Sequence, residues 1–143
     1  MPNYSTSAEI DASPEAVWAV LSDVEHMPDW TPSMTSVAII DGPNPPDVGT
    51  QVRIEQPKLP LAVWLVDEWD PPRHFAWISE APGVTTQAEH LVERLPDGRS
   101  LVTLAITQTG GLAWLVGRLV MSRTRQYVDT ELKSLRSRVT AEG

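Results

Sequence analysis

Chemistry in this 143-residue chain falls to histidines and carboxylates, because it holds no cysteine. That absence excludes disulfides, thiolate catalysis and cysteine-based zinc sites. The three histidines, His26, His74 and His90, are scattered without metal-ligand spacing, so no metal site and no cofactor are expected. His90 stands in the alternating stretch "AEHLVERL". An imidazole in an apolar setting can act as a base, donate to a ligand carbonyl, or satisfy itself on a neighbour. No pairing motif in the sequence ties it to a second catalytic group.

The second unusual feature is aromatic. The chain has six tryptophans and one phenylalanine. Tryptophan offers an apolar body with an N–H that needs an acceptor. A set of them is either ordinary core or the wall of a pocket.

These side chains must be positioned by the elements around them. Residues 3–11 alternate, with Tyr4, Thr6, Ala8 and Ile10 on one side, which reads as a half-buried strand. Ser13 offers an N-cap and Pro14 the first helical position, so a helix runs to about Ser22. Pro28 and Pro32 prevent a long continuation. Between them fits one short turn or helix at 23–27 and an irregular segment holding Trp30. Six strands follow, over 34–40, 49–56, 61–69, 74–79, 85–95 and 101–109. They are separated by turn-forming stretches such as "DPPR", "APGV" and "PDGR". Short connections imply an antiparallel meander. From Leu112 to about Thr140 there is no proline, so a long helix closes the chain. Its first turns are apolar on most sides, while Met121, Val128, Leu132, Leu135 and Val139 form an amphipathic stripe.

Composition narrows the function classes. The length fits a single domain over 1–143, and 41% hydrophobic residues supply a core. A net charge of −8 argues against nucleic acid as a partner. The basic residues concentrate after Leu112, leaving that segment at +3 and the remainder at −11. The N-terminus lacks a secretory pattern and no apolar run is long enough for a transmembrane span, so a cytoplasmic protein is expected. Monomer and homodimer both stay open.

The order strand, two short helices, six strands, long helix, taken with four stretches, resembles the START-like (SRPBCC) superfamily. Within it the chain is similar to the polyketide cyclase/dehydrase and lipid-transport branch. The stretches are "IDASPEAVWAVLSDVEHMPDW", "VDEWDPPRHFAW", "EHLVERLPDGRS" and "ELKSLRSRV". The resemblance covers essentially the whole chain. It implies an α+β helix-grip fold, a seven-stranded bent antiparallel sheet wrapped round the C-terminal helix, with an apolar cavity between them.

It also implies which side chains face that cavity. Trp64 and Val66 point inward on the fourth strand, His90 and Val92 on the sixth, and Ile106 and Gln108 on the seventh. Trp77 competes with Ile78 on the fifth. Trp30 would form a wall, Leu59 would sit in an entrance loop at 56–60, and Leu112, Leu115, Val116 and Leu119 would close the mouth. Two functions from different classes follow. One is a carrier or receptor for a hydrophobic small molecule such as a lipid, polyketide or ring-system metabolite. The other is a cyclase, aromatase or dehydratase with His90 as acid/base, helped by Gln108 or Glu68. Tyr127 lies too far down the last helix to be relied on as a helper. A third, weaker reading has the basic last helix docking an acidic partner.

Overall fold

The computed structural model describes residues 3–142, the side chains of 114–121 and 141–142 excepted. Its elements follow the order expected. β1 (Asn3–Ile10) leads to α1 (Pro14–Leu21) and a short 3₁₀ helix (Val24–Asp29). β2 (Ser36–Asp41), β3 (Gln51–Glu55), β4 (Ala62–Asp70), β5 (His74–Ala81), β6 (Val84–Arg94) and β7 (Ser100–Thr109) come next. The chain ends in α2 (Ala113–Glu142).

The seven strands form one sheet in the order β1-β7-β6-β5-β4-β3-β2, antiparallel at every pair. β2 through β7 are a plain meander, and β1 adds itself to the far edge beside β7. α1 and α2 both pack on the inner face, which makes this a helix-grip fold. Among the described side chains of α2, Val128, Leu132, Leu135 and Val139 enter the core, four of the five positions in the stripe read from the sequence. The fifth, Met121, has a side chain outside the described residues.

Local sequence explains the joints. Ser13 caps α1 by accepting the Ala16 N–H at 3.2 Å, with Pro14 in the first turn. The second short helix continues past its expected end, because a 3₁₀ turn closes with bonds to residues three back and Pro28 lacks only its own N–H. Gly98 takes φ +89° in the β6–β7 hairpin, where Leu95 N–H donates to Arg99 O. Gly110 is required by close approach, since a Cβ there would lie 2.6 Å from the Gly83 carbonyl.

One irregularity has functional weight. β4 pairs regularly through Val66↔Trp77, then slips by one residue at Asp67 so that Glu68 lies opposite Ala76 and Trp69 opposite Phe75. Strict alternation would aim Glu68 inward beside Trp64 and Val66. The bulge turns it out and brings Trp69 in against Trp18 and Phe75, at ring centroid distances of 5.4 and 5.1 Å.

Candidate functional site

The concave face of the sheet is filled at one end and hollow at the other. At the filled end α1 and the 3₁₀ helix drive Val17, Trp18, Leu21, Val24 and Met27 into the core. At the hollow end lies a cavity of about 420 Å³, within the usual size range of small-molecule sites. Its apolar wall comes from Met34, Ile54, Trp64, Trp77, Leu104 and Ile106 on the sheet side and Val128 on α2. Trp64 and Trp77 lean on each other with centroids 6.2 Å apart.

Polar side chains line it as well, among them His90, Gln108 and Glu131, all three buried. His90 on β6 is 4% exposed, and its ring stacks on Phe75, the residue opposite it on β5, at 4.0 Å and 9° between planes. Its Nδ1 lies 3.3 Å from the Phe75 carbonyl oxygen. A carbonyl can only accept, so that nitrogen carries the hydrogen. Nε2 is thereby left for the cavity side, where Glu131 of α2 brings Oε2 to 3.5 Å. Both side chains are more than nine-tenths buried, and Glu131 Oε2 has no hydrogen-bond partner. A buried carboxylate is tolerated when a cation or a proton is shared with it. His90 Nε2 is the polar atom that faces it.

Further along, Gln108 on β7 contacts Thr86 Oγ1 through Nε2 at 3.5 Å, and its Oε1 has no partner. The 56–60 loop is tied across the opening by three bonds. Gln56 Nε2 donates to Ser33 O, Arg123 donates to Lys58 O at 3.1 Å, and the Tyr127 hydroxyl donates to Pro57 O. Lys58 adopts φ +63° in this loop, a left-handed conformation uncommon outside glycine.

Six residues singled out from sequence meet at this cavity: Leu59, Trp64, Trp77, His90, Ile106 and Gln108. The competition between Trp77 and Ile78 is settled by Trp77, which is 2% exposed on the inner face. Others are placed elsewhere. Val66 and Val92 belong to the close-packed core, and Val92 lies toward the end that α1 fills. Trp30 lines a shallow groove with Thr130, Lys133, Ser134, Ser137 and Arg138 of α2, because the turn at Met27 swings its indole onto the helix. Leu112 is 46% exposed, held over the β5–β6 turn by its N–H bond to Gly83 O. The side chains of Leu115, Val116 and Leu119 lie outside the described residues. Glu68 is bonded to His74, whose Nδ1 is 3.0 Å from Glu68 Oε2 and whose Nε2 is 3.7 Å from Glu89 Oε1. These three residues gather ligand atoms within 4.8 Å of one another, a grouping that their separation in sequence conceals.

Two residues were misjudged or missed. Tyr127 reaches both the cavity and the loop, contrary to its distance along the helix. Glu131 was not singled out. Its signal was available, since it occupies a helical position next to Val128 and Leu132 in the buried stripe, where a carboxylate is out of place.

A family model described as polyketide cyclase/dehydrase and lipid transport matches residues 1–140. No curated protein matches the chain. Among solved structures, the protein XoxI from Bacillus cereus superposes with a TM-score of 0.78 at 22% identity, covering 98% of this chain and 96% of that one. The Zhui aromatase/cyclase from Streptomyces sp. R1128 gives 0.77 at 18% identity over 96% and 93%. A START superfamily protein from Mycobacterium smegmatis gives 0.72 at 19% identity over 99% of each chain. At these identities the likeness establishes the fold alone. No helix among the described residues is long and apolar enough to cross a membrane.

Proposed function

Because this chain belongs to the polyketide cyclase/dehydrase and lipid transport family, we propose that it binds a hydrophobic small molecule in the cavity between sheet and α2. The observation that carries this reading is the 420 Å³ hollow itself, walled by Trp64, Trp77 and aliphatic side chains. A domain that could close its core would not leave such a volume unfilled, since interiors pack nearly as densely as organic crystals. Leu59 and Pro60 line the hollow from the tied loop, which makes that loop the natural entrance. Native mass spectrometry of freshly purified protein tests the reading. A bound apolar molecule, or saturable uptake of an environment-sensitive dye at one site per chain, supports it. No saturable uptake by any of a panel of dyes overturns it.

A second reading rests on the His90–Glu131 contact. A histidine held in one tautomer by the Phe75 carbonyl, with its other nitrogen against a carboxylate, has the geometry for moving a proton. General acid–base catalysis of this kind contributes about 10²–10⁴-fold in rate. An aldol cyclisation or dehydration would use it to take a proton alpha to a carbonyl and return it to the departing oxygen. His90→Gln keeps a hydrogen-bonding side chain but not the titration. Turnover of poly-β-ketone or cyclic-ketone substrates that disappears in His90→Gln, with affinity preserved, would establish the enzyme. Binding retained within a few fold, with no turnover in either protein, leaves the carrier.

A further inference from the structure

The chemistry of the cavity wall selects among apolar ligands, an inference that rests on the binding reading above. Two buried side-chain atoms that line the cavity lack a hydrogen-bond partner, Glu131 Oε2 and Gln108 Oε1, and both are acceptors. Four donors beside them already serve protein acceptors, while the hydroxyls of Ser79, Thr86 and Thr124 also line the cavity. His90 Nδ1 serves the Phe75 carbonyl, Gln108 Nε2 serves Thr86, Gln56 Nε2 serves Ser33, and the Tyr127 hydroxyl serves Pro57. No lysine or arginine is among the described residues that line the cavity.

The charge balance points the same way. Glu80 and Glu89 line the cavity together with Glu131. This lining offers no cation to an anion, and an incoming carboxylate would surrender its hydration without compensation.

We propose that the cavity selects apolar molecules whose polar end donates hydrogen bonds, alcohols and amines, over carboxylates, ketones and ethers of the same size. The Glu131 carboxylate is the acceptor that reads this end. Gln108 supplies a second acceptor. It lies four residues beyond Leu104 on β7, and Leu104 is the residue opposite His90, so Gln108 stands about 13 Å along the strand from the row of His90 at ~3.3 Å per residue. An elongated molecule with a donor at each end spans both.

The test is a matched ten-carbon series, 1-decanol, decylamine, 2-decanone, methyl nonyl ether and decanoate, titrated at neutral pH against the fluorescence of the tryptophans. Decanol and decylamine are expected to bind about ten- to a hundredfold more tightly than the other three, the penalty of leaving a buried acceptor unpaired. Glu131→Gln replaces one carboxylate oxygen by a donor and removes the charge. It should shrink the advantage to within about threefold and raise decanoate affinity. The wild-type ranking stands as a test on its own should the variant fold poorly. Equal affinities across the series, or decanoate binding tightest, overturn the selectivity while leaving the cavity reading intact. Failure of all five to bind overturns the cavity reading and this one with it. The expected ranking unchanged in Glu131→Gln overturns the assignment to Glu131.

Discussion

Replacing His90 with phenylalanine isolates the polar work of that side chain. A phenyl ring preserves the stacking on Phe75 and the edge contact with Trp77 at 5.3 Å, and removes both nitrogens. The Phe75 carbonyl then loses its imidazole donor, and the Glu131 carboxylate loses the polar atom 3.5 Å away. At that separation a full pair of charges attracts with about 5 kcal/mol at an effective dielectric of 20. Removing one member of a buried pair costs about 3–5 kcal/mol, because the survivor stays desolvated. His90→Phe should therefore cost about 3 kcal/mol or more, a fall of roughly 6–12 °C in Tm for a chain of this size. Glu131→Gln keeps an amide oxygen and N–H near Nε2 and should cost about 1 kcal/mol. The double variant has no charge left to strand, so it should be more stable than the sum of the two losses implies, by about 1–3 kcal/mol. Urea unfolding followed by far-ultraviolet circular dichroism, on wild type, both singles and the double, closes the cycle. Additivity within about 0.5 kcal/mol would show that the two groups do not share a proton or a charge, and would remove the basis for the dyad.

The two cavity tryptophans should separate. Trp77, 2% exposed and packed on Phe75, His90 and Trp64, should cost about 3–5 kcal/mol when cut to alanine. Trp64, partly buried with the hollow on one side, should cost about 1–2 kcal/mol and weaken dye binding more than it weakens the fold. Thermal melts that rank Trp64→Ala as the more damaging would contradict this. At the surface, the hydrogen bond His26 donates to the Asp23 carboxylate, and that carboxylate's negative charge, hold the His26 titration above its ordinary value of 6.5. A folded value raised in this way contributes stability that is complete below pH 6.5 and is lost as pH rises through the folded value. An NMR pH titration should find His26 raised, returning toward 6.5 in Asp23→Asn. An unchanged midpoint in that variant refutes the assignment.

How much of this could be read in advance depended on the range of the signal. Ser13-Pro14 announces α1 through bonds within four residues, and alternation along β7 announces Val102, Leu104, Ile106 and Gln108 as one face, so both were legible. The β4 bulge was not. Val66-Asp67-Glu68 alternates without a break in the sequence, and the slip is imposed by pairing with β5, where Trp69 gains two aromatic neighbours. That single shift moved Glu68 from a candidate partner of His90 to a partner of His74. Glu131 and Tyr127 were obscured for a related reason. Their roles depend on where α2 crosses the sheet, 41 residues of sequence from His90 in one case and 70 from Pro57 in the other; the buried stripe marks Glu131 as out of place, but no local pattern says what it meets.

His90 sits where the two halves of the concave face meet. Toward the filled end it is part of an aromatic chain, Trp18, Trp69, Phe75 and Trp77, in which each ring leans on the next at 5.1–5.8 Å. Toward the hollow end it presents Nε2 to Glu131. The packed side fixes the ring plane by stacking and fixes the tautomer through the Phe75 carbonyl, leaving the imidazole little freedom to turn. If the cavity holds a guest as proposed, a polar group so constrained answers to few arrangements of its atoms, whereas a mobile histidine could follow a ligand of either polarity.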